Sequence, residues 1–108
     1  MIKRATGDSC VAVTFELPAE VRADCASVCG EFNGWTTTSM GRERDGWFRV
    51  TITLKSGRSY RYRYLLDGTR WENDWSPDGY IPNAFGGDDS VVDLTGVNGR
   101  VPPAATLD

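Results

Sequence analysis

Residues 47–67 read Trp47-Phe48-Arg49-Val50-Thr51-Ile52-Thr53-Leu54, then Lys55-Ser56-Gly57-Arg58, then Ser59-Tyr60-Arg61-Tyr62-Arg63-Tyr64-Leu65-Leu66-Asp67. In the first run apolar residues alternate with polar ones, which is typical of a half-buried β-strand. In the last run Tyr60, Tyr62 and Tyr64 share one face, and we expect them to pack in a core rather than to form a binding surface. The segment Lys55-Ser56-Gly57-Arg58 between the two runs is a predicted turn, so the chain passes from one strand into the next.

Similar strand patterns occur on both sides of these two strands. Alternation in Cys10–Leu17 is strong, Cys25–Phe32 and Ser90–Leu94 also favour strands, and Asp67-Gly68 predicts a turn into a short strand at Thr69–Glu72. Sustained helical periodicity is absent from the sequence. Short strands separated by Gly, Pro, Asn and Asp turns predict an all-β fold, an antiparallel β-sandwich.

The length of the chain, 108 residues, is that of one domain. We expect a single β-sandwich domain over residues 1–95. From Gly96 onward the sequence loses its periodicity and contains Pro102-Pro103, which predicts a flexible C-terminal tail over residues 96–108.

Composition restricts the classes of partner. Twelve basic and 15 acidic residues give a net charge of −3, which disfavours nucleic acid as a partner. No stretch is apolar enough to span a bilayer, and no apolar segment typical of a signal peptide follows the N-terminus. The odd number of cysteines, three, then predicts reduced thiols and a cytoplasmic location.

Catalysis and metal binding are both disfavoured by residue type. The chain has no histidine, so the usual general base and a catalytic triad are missing. With three cysteines and no histidine, a four-ligand zinc site of these types is not available. Carboxylates are plentiful, but we interpret them as solvated turn and edge residues rather than as a catalytic pair. We therefore expect a non-enzymatic protein without a metal or cofactor.

The four tryptophans carry most of the functional signal. Trp47 begins a strand, where core packing is natural, whereas Trp35, Trp71 and Trp75 fall in or beside turns and loops. Exposed indoles lose hydrophobic free energy unless a ligand covers them, and the apolar face of a sugar ring stacks on such a surface. Arg63, on the outward face of its strand, has a planar group that can donate to hydroxyls.

Structural packing is the alternative for each of these residues. We expect Trp35 and Trp71 to be exposed. Packing inside the fold remains the alternative for each of them. For Trp75 we favour packing within its own loop. On spacing alone, an ordinary solvated strand residue is the better interpretation of Arg63.

A series of motifs in this order resembles carbohydrate-binding module family 48. This family includes the glycogen-binding domain of the AMP-activated protein kinase β subunit and the N-terminal early-set domains of isoamylases and branching enzymes. The resemblance covers about Cys10 to Leu94 and is carried by Gly30-Glu31-Phe32-Asn33-Gly34-Trp35, Gly46-Trp47-Phe48, Tyr62-Arg63-Tyr64-Leu65-Leu66-Asp67-Gly68 with Trp71 close behind, and Asp89-Ser90-Val91-Val92.

The resemblance implies an immunoglobulin-like, early-set sandwich that binds α-1,4-linked glucose chains without cleaving them. Matched by position, Trp35 and Trp71 would be the stacking platforms. Arg63 stands where the family has a basic residue that contacts sugar, usually lysine. Phe85 lies near a position that wedges against the glucan helix, and Asp89 replaces an asparagine that commonly binds hydroxyls. These five residues are the predicted carbohydrate site.

Three functions follow as hypotheses from different classes. The first is binding of an α-glucan such as glycogen, starch or a malto-oligosaccharide. The second is a scaffolding module that has lost sugar binding and docks an enzyme of glycogen metabolism through the same aromatic surface. The third, a small enzyme, requires paired acidic groups in a concave pocket and is the least favoured.

Overall fold

A computed structural model describes residues 1–6 and 9–95. This part of the chain contains nine strands and two short 3₁₀ turns, at Ala19–Val21 and Glu31–Asn33. The strands are β1 (Ile2–Thr6), β2 (Cys10–Leu17), β3 (Ala26–Gly30), β4 (Thr38–Arg42), β5 (Phe48–Lys55), β6 (Ser59–Leu66), β7 (Arg70–Glu72), β8 (Gly79–Pro82) and β9 (Asp88–Asp93). The predicted tail, residues 96–108, lies outside the described residues, and the domain boundary at residue 95 stays a prediction.

All strand pairings are antiparallel, and they form one continuous curled sheet in the order β1-β2-β5-β4-β3-β6-β9-β8, with β7 also paired to β6. The curl is made at β4, whose first three residues pair with β3 while its last two pair with β5. One strand therefore belongs to both halves of the sandwich. The predicted all-β antiparallel fold is confirmed.

The core lies between the two halves. On β6 the three tyrosines and Leu66 point inward and are buried, as the alternation predicts. Phe15 of β2 meets Tyr62 edge-on with ring centroids 5.0 Å apart, so side chains from opposite halves interdigitate. Because inward and outward residues alternate along a strand, burying the tyrosines turns Arg61 and Arg63 to the outer face.

Three strands were not anticipated from the sequence: β1, β4 and β8. β4 contributes only Met40 to the core, and β1 and β8 are the two edges of the sheet. β8 ends at Pro82, a residue that sheets accept mainly at an edge. Their pairing comes from the neighbouring strands rather than from a pattern of their own.

A buried carboxylate is hydrogen-bonded inside this core. Asp74, only 1% exposed, accepts hydrogen bonds through Oδ2 from the hydroxyls of Tyr62 at 2.7 Å and Tyr64 at 3.0 Å. Its Oδ1 accepts from the backbone N–H of Ser76 at 3.0 Å and contacts the ammonium group of Met1. Burial, and secondly the negative charge of Asp74, raise the pKa of both tyrosines well above its usual range.

This arrangement predicts loss of stability at alkaline pH. In the unfolded chain the tyrosines ionise near pH 10, whereas in the folded protein Tyr62 and Tyr64 stay protonated. Their contribution is fully present below about pH 10, and the free energy of unfolding falls above it by about 1.4 kcal/mol per pH unit for each tyrosine. Urea unfolding between pH 8 and 11.5 measures this slope. Tyr62→Phe should reduce it by about half; an unchanged slope would contradict the assignment.

Candidate functional site

The candidate site lies on the outer face of the half formed by β3, β6, β7, β8 and β9. Arg63 projects from the middle of β6, and Trp71 of β7 pairs with Leu65 of β6. Asp89 of β9 pairs with Ile81 of β8. Neighbouring strands in an antiparallel sheet place directly paired residues on the same face, so several site residues converge through strand register alone.

Trp35 is presented by the 3₁₀ turn that follows β3. Gly34 and Trp35 both have left-handed backbones, with φ of 65° and 63°. Asn33 holds the turn closed: its Oδ1 accepts from the Gly30 N–H at 3.0 Å, and its Nδ2 donates to the Val28 carbonyl at 3.2 Å. The Trp35 N–H also donates to the Gly30 carbonyl at 2.8 Å. A non-glycine residue in this conformation is strained, and such strain is concentrated at functional sites.

Phe32 and Gly30 hold the same turn against the core and against β6. The Phe32 ring stacks on Phe15 of the core, with centroids 5.3 Å apart. Any Cβ at position 30 would lie 2.6 Å from the Arg61 carbonyl oxygen, so only glycine allows the turn to approach β6 this closely. Phe32 therefore faces the core while Trp35 stays 41% exposed.

Trp71 is presented by the β6–β7 hairpin. Its turn contains Asp67 and Gly68, both with left-handed backbones, as the sequence predicts. Asp67 fixes the turn against the segment before β3, because its carboxylate accepts from the N–H groups of Asp24 at 2.8 Å and Cys25 at 3.1 Å. These bonds, with that of Cys25 first, lower the pKa of Asp67. The Trp71 side of the hairpin remains open, and the residue is 48% exposed.

Arg63 and Asp89 form the polar part of the site. Arg63 Nε lies 3.0 Å from Asp89 Oδ1 as an ion pair, and its Nη2 donates to the Asp88 carbonyl at 3.1 Å. Asp89 Oδ2 faces Arg61 Nη1 at 3.6 Å. Both carboxylate oxygens of Asp89 thus face guanidinium groups, and the residue is 7% exposed.

Phe85 stands at the tip of the loop between β8 and β9 and is 95% exposed. The loop closes by a backbone hydrogen bond from the Asn83 N–H to the Gly87 carbonyl, at 2.8 Å. Exposure of a large aromatic ring to water is unfavourable, and a ligand that covers the ring removes this cost. Among the large aromatic side chains of residues 1–6 and 9–95, that of Phe85 is the most exposed.

All five residues predicted from the sequence lie around one concave site. A cavity of about 360 Å³ is lined by Trp35, Arg63, Trp71, Asn83, Phe85 and Asp89. Its volume falls within the range of roughly 300–1,000 Å³ typical of small-molecule sites. It is mostly apolar, with three aromatic rings and a small polar group set, which is the composition expected for a ligand with both an apolar face and hydroxyls.

One lining residue and one exposed residue were not predicted correctly. Asn83 lines the cavity, although an asparagine between Pro82 and Ala84 gives no periodic signal; the only sequence hint is its place in a loop rich in turn formers. Trp75, expected to pack within its loop, is 52% exposed and is not part of the cavity wall. The packing interpretation of Trp75 was wrong because its neighbour Asp74, rather than the indole, fills the interior.

Other kinds of site find no support in the described residues. Over residues 1–6 and 9–95, no cluster of three or more cysteine or acidic side chains is arranged to hold a metal ion. No helix within these same ranges is long and apolar enough to cross a membrane. The three cysteines are all free, with Cys29 buried and Cys25 exposed.

A small antiparallel β-sandwich with an aromatic, partly polar cavity on one outer face has the architecture of a carbohydrate-binding module. The sequence profile described as the glycogen recognition site of AMP-activated protein kinase matches residues 11–95. The match covers most of the chain, and the chain belongs to this family. No curated protein matches the sequence.

Proposed function

We propose that this domain binds α-glucan chains by stacking glucose rings on Trp35 and Trp71, with Phe85 packed against the chain from the side. The observation that carries the proposal is the convergence of these three exposed aromatic rings on one cavity of a glycogen-recognition domain. The indoles offer flat apolar surfaces to the C–H faces of the sugar, and covering them recovers hydrophobic free energy.

Arg63 is the direct polar contact in this proposal. Its Nε and Nη2 face Asp89 and the Asp88 carbonyl, whereas Nη1 has no acceptor within residues 1–6 and 9–95. That nitrogen is left to donate to glucan hydroxyls. Because its counter-ion is already in place, Arg63 presents a fixed donor without adding a free positive charge to the cavity.

Binding should be weak and without cleavage. A few stacked rings and exposed hydrogen bonds supply about −4 to −8 kcal/mol, which corresponds to dissociation constants from about 1 mM to 1 μM. Nearby carboxylates do not form a free catalytic pair in this arrangement, because both oxygens of Asp89 already face arginines. Weak binding suits a polymer that offers many chain ends and segments.

The proposal is tested by titrating the intrinsic tryptophan fluorescence with maltoheptaose and β-cyclodextrin. We expect a saturable change, because Trp35 and Trp71 are exposed to water in the free protein and would be covered in the complex. Cellohexaose is the matched control, since its β-linked rings form a straight chain of the same sugar.

A change with the α-linked sugars alone would establish the function. No change with any sugar, from a folded sample, would contradict it and favour the scaffolding hypothesis, in which the same aromatic residues contact an enzyme of glycogen metabolism. We also place the domain in the cytoplasm in this proposal, where free thiols such as its three cysteines stay reduced.

A further inference from the structure

The side chain of Asn83 occupies the centre of the loop that carries Phe85. Its Oδ1 accepts hydrogen bonds from the backbone N–H of Phe85 at 2.9 Å and from that of Gly87 at 3.2 Å. The half-buried amide thus supplies the acceptor that these two backbone N–H groups would otherwise lack in such a tight loop. Two of the loop's N–H groups depend on this one oxygen.

The other end of the same amide reaches the polar part of the site. Asn83 Nδ2 donates to Asp89 Oδ1 at 3.1 Å, the same oxygen that lies 3.0 Å from Arg63 Nε. The side chain of Asp89 is 10% exposed, so its contacts are largely shielded from water. Hydrogen bonds to a charged acceptor in such surroundings are among the stronger ones.

Protein groups engage both carboxylate oxygens of Asp89. Oδ1 meets Asn83 and Arg63, and Oδ2 faces Arg61. A carboxylate engaged in this way orients its neighbours rather than offering free lone pairs to a sugar. This differs from the expectation that Asp89 itself binds hydroxyls, which stays untested.

We propose that Asn83 is a positioning residue that couples the Phe85 loop to the Arg63–Asp89 ion pair. The Phe85 ring and the Arg63 guanidinium are then held in a fixed arrangement relative to each other. The proposal rests on the proposed glucan function for its binding readout. Asn83 does not stack on the sugar in this scheme: it fixes where Phe85 stands relative to Arg63. The aromatic wedge is then held in place before a ligand arrives, which lowers the ordering cost of binding.

The test is a double-mutant cycle between Asn83→Ala and Phe85→Ala, read as maltoheptaose affinity. We expect Asn83→Ala to weaken binding about five- to tenfold, since it removes the acceptor of two loop N–H groups. Phe85→Ala should weaken binding about tenfold in the wild-type background but less than about twofold once Asn83 is alanine. Independent, multiplicative effects of the two substitutions would overturn the coupling.

A swap of donor and acceptor separates positioning from general structural damage. Asn83→Asp keeps the acceptor for the loop but places a carboxylate against Asp89, and should bind several times more weakly. Combining it with Asp89→Asn restores one donor between the two positions. The double variant should bind at least about threefold more tightly than Asn83→Asp alone. Equal affinities would count against the proposed contact.

Asp88→Ala is the matched control on the same segment. Its side chain is exposed and makes no hydrogen bond within the described residues, and alanine keeps the backbone carbonyl that accepts from Arg63, so the affinity should stay at the wild-type value. If Asn83→Ala also binds like wild type, the proposal is wrong while the glucan function stands.

Amide hydrogen exchange in the sugar-free protein gives a readout that does not need a ligand. The amides of Phe85 and Gly87 should exchange about tenfold faster in Asn83→Ala than in wild type, while amides in the β6 core stay protected. Unchanged exchange at both amides would overturn the positioning role. Failure of wild-type protein to bind any α-glucan would instead overturn the proposed function, and the exchange rates would still decide whether Asn83 holds the loop.

Discussion

Trp35→Ala and Trp71→Ala are each expected to reduce α-glucan affinity at least about 30-fold, equivalent to about 2 kcal/mol, while the domain stays folded. Both indoles line the cavity, and each is more than 40% exposed in the free protein. Removing one therefore deletes a proposed stacking surface without opening a large hole in the core. Isothermal titration with maltoheptaose measures the affinity, and circular dichroism with a thermal scan verifies folding.

Trp75→Ala is the matched control for this experiment. Trp75 is exposed to the same degree as Trp71 and lies four residues further along the chain, but it is not part of the cavity wall. Its replacement should leave the affinity unchanged. If Trp75→Ala weakens binding as much as Trp71→Ala, the sugar contacts a different surface from the one proposed. If Trp35→Ala unfolds the domain, its indole supports the fold rather than the ligand.

Asp74→Ala should cause the largest loss of stability, about 2–5 kcal/mol in the free energy of unfolding. The substitution leaves the buried hydroxyls of Tyr62 and Tyr64 without their shared acceptor and opens a cavity beside them. Domains of this size are stable by only about 5–15 kcal/mol, so the effect is a large share of the total. Urea unfolding at pH 7 measures it.

Asp24→Ala is the control for the loss of a carboxylate. Asp24 is exposed, and its side chain makes no hydrogen bond within the described residues, so its removal should change the free energy of unfolding by no more than about 0.5 kcal/mol. An Asp74→Ala variant as stable as this control would show that the tyrosine hydroxyls find other partners. It would also remove the basis for treating Asp74 as the centre of the polar core.

The sequence predicts the strands that build the core and misses those that only complete the sheet. β2, β5 and β6 alternate clearly because one face of each packs against buried side chains. β8 is four residues long and ends in proline, and β4 has a single buried residue, so neither has a periodic pattern. Their positions depend on pairing with distant strands, which no local pattern records.

For the candidate site, the sequence predicts which residues line the cavity better than how they interact. Trp35 and Trp71 follow turn dipeptides, and this local signal is enough to place them at the surface. Asn83 had no such signal, because its hydrogen bonds to the loop and to Asp89 depend on how β8 and β9 end. The pairing of Asp89 with two arginines likewise depends on the register between β6 and β9.

The left-handed backbone at Trp35 has a thermodynamic meaning for recognition. At φ of 63°, a residue with a side chain destabilises the folded state by about 1 kcal/mol relative to glycine. The turn nevertheless holds a tryptophan there, fixed by Asn33 and Gly30. Local folding stability is thus lost in return for a tryptophan whose backbone position is set before a ligand arrives. Binding to such a residue costs less conformational entropy than binding to a segment that must first be ordered.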